Sequence, residues 1–130
     1  MLKILVTGGA GLIGSNVVKR FLSLGHEVHV ADNLWRGKLE NLYNNGHPIV
    51  DLDSHFHQVD LQDYDSCVAV SKNIDVVIHL ADIVAGINFV FSNELFLFRA
   101  NVVMNSNMLD AAILNNVKKY LYVGTACSYP

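Results

Sequence analysis

Lys3-Ile4-Leu5-Val6-Thr7-Gly8-Gly9-Ala10-Gly11-Leu12-Ile13-Gly14 is an apolar run that breaks into glycines, and the glycines open an amphipathic helix pattern. Ile4, Leu5 and Val6 read as a buried parallel strand, and a strand ending in glycines lets the backbone turn tightly and approach a ligand closely. A helix starting at that turn aims its unpaired N–H groups and the positive end of its dipole at an anion, and a pyrophosphate suits that position. Gly9, Gly11 and Gly14 satisfy the dinucleotide fingerprint G-x-G-x-x-G; Gly8, Gly11 and Gly14 satisfy G-x-x-G-x-x-G with Thr7 in front. The bland alternative is a glycine-rich structural turn, and the rest of the chain argues against it.

Working outward, helical spacing of Ile13, Val17, Phe21 and Leu24 predicts a helix from about Gly11 to Leu24, with Gly25 as its stop. The second strand, Glu27 to Ala31, ends on Asp32, 18 residues after Gly14. An acid there accepts hydrogen bonds from ribose hydroxyls and repels a 2′-phosphate, which favours NAD. Arg36 keeps NADP open, because an arginine there can pair with the extra phosphate. Residues 33–53 read as a long, mostly irregular connection, with a short helical pattern near Lys38 to Tyr43 and breakers at Asn44-Asn45-Gly46 and Pro48. Phe56 to Val59, Val76 to Ala81 and Tyr120 to Val123 supply the third, fourth and fifth strands. Tyr64 to Ser71 and about Glu94 to Asn115 supply helices, the latter with Val102, Leu109, Ala112 and Ile113 at core spacing. The alternation predicts an α/β, Rossmann-like doubly wound parallel sheet of strand order 3-2-1-4-5, with the ligand crevice where the order reverses between the first and fourth strands.

Composition sets the outer limits. The 130 residues allow one domain, 1–130, and 52% hydrophobic against 16% charged residues suits a sheet covered on both faces. A net charge of −3 gives no footprint for nucleic acid, and no apolar run approaches ~18 residues, so neither nucleic acid nor membrane is an expected partner. The expected setting is cytoplasmic. Cys67 and Cys127 have no zinc spacing and read as reduced thiols. Of the six histidines, His55 and His57 share a strand face and His47 lies in the preceding loop. With no acidic or thiolate residue evident beside them, they read as structural or solvated, and no metal is expected. Among Asn101, Asn105 and Asn107, one is expected to tie the long helix to a strand end and the last two to be exposed.

Thr7 to Gly14, Asp32-Asn33-Leu34, Asp60-Leu61, His79-Leu80-Ala81 and Asn101 together resemble the extended short-chain dehydrogenase/reductases of the NAD-dependent epimerase/dehydratase family, which modify nucleotide sugars. The resemblance spans the chain. It implies cofactor contacts from Gly8, Gly11, Leu12, Ile13 and Gly14, from Asp32, Asn33 and Arg36, and from Asp60, Leu61, Leu80, Ala81 and Asn101. Within the family, Ala81 to Ile87 and Thr125-Ala126-Cys127-Ser128-Tyr129-Pro130 most resemble the GDP-mannose 3,5-epimerases and GDP-L-fucose synthases, which implies a GDP-sugar substrate and a homodimer. The implied chemistry is transient redox at the sugar C4, with Thr125 bonding the C4 oxygen and Cys127 exchanging a proton beside the ketone. Thr125 stands where those enzymes carry serine, Ala85 where they carry glycine, and Ser128 where they carry an aliphatic residue. The family's Tyr-x-x-x-Lys pair is absent from the chain, so it reads as the N-terminal portion of a longer enzyme, inactive alone. A non-catalytic NAD-binding regulatory module is the reading from another class.

Overall fold

In the computed structural model, which describes residues 1–125, strand β1 (Lys3–Thr7) sits at the centre of a parallel sheet between β2 (Glu27–Asp32) and β6 (Val76–His79). β5 (Phe56–Gln58) extends the sheet beyond β2, and β7 (Lys119–Tyr122) extends it beyond β6. The order β5-β2-β1-β6-β7 is the expected 3-2-1-4-5 once the two-residue strands β3 (Tyr43–Asn44) and β4 (His47–Pro48) are set aside as a separate hairpin. Helices cover both faces because side chains alternate along each strand. Ile4, Val6, Val28, Val30 and Ile78 pack with Val18 of α1 (Leu12–Ser23). Leu5, Ala31 and Val77 pack on the opposite face with Cys67 and Val70 of α2 (Tyr64–Ser71) and with Met104, Met108 and Ala111 of α4 (Glu94–Leu114). Ile4, Leu5 and Val6 are at most 1% exposed, and burying each contributes about 1.5–3 kcal/mol.

The connection over residues 33–53 is more ordered than expected. A 3₁₀ turn (Leu39–Leu42) leads into the β3/β4 hairpin, whose turn residues Asn45 and Gly46 both take positive φ. Leu42 and Val50 are buried beside α1, so this segment closes one end of the core. A short helix α3 (Ile87–Ser92), absent from the sequence reading, precedes α4.

The rotation of α4 differs from the expectation. Leu97, Ala100, Met104, Met108, Ala111 and Ala112 face the core, whereas Val102, Leu109 and Ile113 are exposed. The helix is apolar nearly all round, so periodicity could not select a face; three asparagines select it. Asn101 bonds the Ile83 backbone, Asn105 bonds His79, and Asn107 donates to the carbonyls of Leu61 and Gln62. Asn105 and Asn107 are therefore half-buried anchors rather than exposed residues.

Candidate cofactor-binding site

The glycine turn connects β1 to α1 and is held from three sides. Gly8 donates its N–H to the Ala31 carbonyl of β2, and Gly11 donates to the Gly8 carbonyl. Gly8 has φ +66°, and a side chain there would stand 2.9 Å from the Ala81 nitrogen after β6. At Gly14 conformation is not the issue. An added Cβ would lie 2.2 Å from the Gly8 oxygen and 2.7 Å from the Gly9 Cα, so only glycine lets α1 start this close to the turn. Among the described residues no side chain caps α1 at Gly11, and its first-turn residues Leu12, Ile13 and Gly14 line the crevice.

Asp32 ends β2 beneath this turn and is 8% exposed. Its Oδ2 accepts the Ala10 N–H at 2.9 Å and its Oδ1 accepts the Leu34 N–H at 2.9 Å. The strand-capping role and the ribose-binding role are compatible, because an ionised carboxylate has about four acceptor sites and these bonds use two. Leu34 holds φ +59° within the Asx turn that Asp32 forms, a strained setting for a branched side chain and one that recurs at ligand sites. The long connection reaches back as well: Lys38 N–H and Asn41 Nδ2 both donate to the Ala10 carbonyl. Both ends of the Ala10 peptide are thereby fixed, and the turn is preorganised.

Two adjoining cavities of about 140 and 590 Å³ meet over this turn, on the scale of a small-molecule cleft. Asp32, Asn33, Asp60 and Leu61 line the smaller; Leu12, Ile13 and Gly14 line the larger; Gly8, Gly11, Arg36, Leu80 and Ala81 line both. Arg36 crosses the opening and donates from Nη1 to the Val84 carbonyl, joining the segments that follow β2 and β6. Leu61 is chiefly a core residue, 4% exposed, whose carbonyl takes the Cys67 thiol and Asn107. Burial pushes that thiol up to about 12, so Cys67 is structural. Asn101 acts on the crevice through Ile83, accepting its N–H at 2.8 Å and donating to its carbonyl at 3.2 Å.

Sequence reasoning missed two residues. Asp82 lines both cavities, and desolvation there holds its carboxyl above the ordinary range; its sequence signals are its place just past an apolar strand and within the Ala81 to Ile87 segment of the resemblance, neither of which singles it out. His79, 2% exposed, links four elements. Thr7 Oγ1 accepts the Leu80 and Ala81 N–H groups and lies 2.8 Å from His79 Nδ1, while His79 Nε2 lies 2.8 Å from Asn105 Oδ1. A threonine hydroxyl already accepting twice donates onward, which makes Nδ1 the acceptor and Nε2–H the donor. Asn105 Nδ2 continues the chain to the Tyr122 hydroxyl on β7. Burial holds the His79 pKa below its ordinary value, against an opposing effect of the Asn105 bond. Thr125 follows β7 and is exposed; Cys127 lies outside the described residues.

The chain that builds this glycine turn, the acid ending the neighbouring strand and the crevice at the reversal of strand order matches a family model over residues 4–130. The chain belongs to the NAD dependent epimerase/dehydratase family. Among its relatives, GDP-mannose 3,5-epimerase 1 of Oryza sativa subsp. indica is 37% identical over 130 residues, covering 99% of this chain and 32% of that protein. UDP-glucose 4-epimerase of Yersinia enterocolitica is 34% identical, over 98% of this chain and 38% of that protein. The Thermus thermophilus UDP-glucose 4-epimerase, solved in complex with NAD, matches with TM-score 0.78 and 33% identity over 95% of this chain and 38% of that one. The chain spans about a third of the length of these epimerase/dehydratase relatives.

Proposed function

We propose that this chain is the NAD-binding, N-terminal portion of a nucleotide-sugar epimerase or dehydratase that works by transient redox at the sugar C4. The observation that carries the reading is the cradle in which a Cβ at Gly14 would fill the space between α1 and the Gly8 carbonyl, in the same turn whose Ala10 N–H is held by the Asp32 carboxylate. The first turn of α1 would hold the pyrophosphate, Asp32 would accept the adenosine ribose hydroxyls, and the walls at Leu61, Leu80 and Ala81 would exclude water from the rings. When bound, NAD supplies a hydride acceptor at the sugar C4 and, once reduced, the hydride donor for the return step. Thr125 would orient the C4 oxygen with its hydroxyl. Cys127 would remove and return the proton on the carbon beside the transient ketone.

The family resemblance assigns the proton of the C4 hydroxyl to the tyrosine of a Tyr-x-x-x-Lys pair, and the 130 residues hold no such pair. We therefore expect the 130 residues alone to bind NAD without turning over a sugar nucleotide. A GDP-sugar is favoured by the resemblance at 81–87 and 125–130 and by the GDP-mannose 3,5-epimerase relative. The outward stripe Leu95, Phe98, Val102, Leu109 and Ile113 on α4 supports a homodimer, since these exposed apolar residues recur at helical spacing. No helix among the described residues is long and apolar enough to cross a membrane, and the reading places the enzyme in the cytoplasm.

Calorimetric titration with NAD and NADP, followed by NMR assay of GDP- and UDP-sugars, tests the proposal. NAD binding without turnover by residues 1–130 is the expected result. Tighter NADP binding would favour a GDP-sugar epimerase-reductase in which Arg36 holds the phosphate. Turnover abolished by Thr125→Ala would refute the need for a further base.

A further inference from the structure

The parallel register that sets Ala31 beside His57 carries back along β2, away from the glycine turn, so His29 and Glu27 lie on the same sheet face as His57 and His55. His29 Nε2 lies 3.0 Å from Glu27 Oε1, and His55 Nε2 lies 3.7 Å from the same oxygen. One donor atom from each of these three residues falls within 4.8 Å of the others. A tetrahedral ion with bonds of about 2.0–2.1 Å separates its donors by roughly 3.3 Å, so only small side-chain rotations are needed. All three side chains are half-buried, leaving a route for an ion and a fourth position open to water.

We propose that Glu27, His29 and His55 form a binding site for a divalent transition-metal ion of the zinc type, clipping the edge strand β5 to β2. Two imidazoles and a carboxylate suit zinc and its neighbours rather than calcium or magnesium, which prefer all-oxygen sets. His57 completes the arrangement: its Nε2 is 3.3 Å from His29 Nδ1, and the two rings stack with an interplanar angle of 7°. Ion binding at His29 Nε2 takes the neutral ring with its proton moved from Nε2 to Nδ1, and that Nδ1–H donates to His57 Nε2, fixing the ring's orientation. Lys3 Nζ also lies 3.0 Å from Glu27 Oε1, but its side chain is 47% exposed and can swing aside. β5 leads directly into Val59 and Asp60 at the cofactor crevice, so the clip supports that wall.

The test is titration of the chelator-treated full chain with Zn²⁺ by calorimetry, with Co²⁺ absorption reporting geometry. One ion per chain at micromolar affinity or tighter, tetrahedral Co²⁺ bands, and a thermal midpoint raised by Zn²⁺ are expected. His55→Gln and Glu27→Gln should each weaken binding about tenfold or more and remove the Zn²⁺-dependent shift in midpoint, while His47→Gln leaves both unchanged. His55→Gln changes a half-buried side chain and leaves the backbone pairing intact, so its circular dichroism should match wild type; if it does not, Glu27→Gln decides. No saturable binding, binding equally tight in both variants, or one ion shared by two chains would overturn the site.

Discussion

Gly14→Ala is the sharpest test of the cofactor cradle, because two physical effects push in opposite directions and the structure decides between them. Gly14 lies in α1, where alanine is favoured over glycine by about 1 kcal/mol if space permits. Space does not permit: the new methyl would stand 2.2 Å from the Gly8 oxygen, where ordinary contact begins at 3.4 Å. Relief requires α1 to withdraw by roughly 1 Å, and overpacking of this kind costs about 1–3 kcal/mol. The Gly11 N–H to Gly8 carbonyl bond, 3.1 Å long, is strained in the same movement, a further loss of about 1 kcal/mol. The net expectation is destabilisation of about 1–3 kcal/mol, read from the urea midpoint at constant m. NAD affinity should fall about tenfold or more, because the helix N-terminus leaves its place. Gly86→Ala is the control: Gly86 precedes α3, nothing among the described residues lies within 4 Å of an added Cβ, and its effect should stay within about 0.5 kcal/mol. A Gly14→Ala protein as stable as wild type, with NAD binding intact, would refute the reasoning.

Asp32→Asn leaves an amide that cannot accept both the Ala10 and Leu34 N–H groups, so NAD affinity should fall by about tenfold while discrimination against NADP narrows; unchanged NADP discrimination in calorimetry would show that the charge does not select. His79 binds its proton less readily when folded than unfolded, so its contribution is complete above the ordinary value of 6.5 and is lost as pH falls below it. Urea unfolding across that range should give a stability decline of at most about 1.4 kcal/mol per pH unit from this group, and His79→Gln should flatten it; an unaltered slope would assign the decline elsewhere. Asn101→Leu removes both bonds to Ile83 and should cost about 1–3 kcal/mol, with faster hydrogen exchange at the Ile83 amide; full protection of that amide would contradict the anchoring role.

The elements carried by local sequence were legible without the fold. β1 is a short apolar run, the turn needs glycines for reasons internal to the turn, and α1 has one apolar stripe, so Gly8, Gly11, Gly14 and Asp32 could be named from spacing alone. Strand order followed from the alternation of elements, since parallel crossovers leave few topologies. The long helix was different. With apolar residues on every side of α4, hydrophobicity was degenerate, and hydrogen bonds from Asn101, Asn105 and Asn107 to residues 18 to 46 positions away chose its buried face. The histidines belong to the same class. His55 carried no visible carboxylate partner because Glu27 lies on another strand, and only the register of β2 against β5 brings it within reach. Periodicity reports which residues share a face of one element; which elements face each other is fixed by packing and pairing over long separations, and there the tertiary structure alone decided.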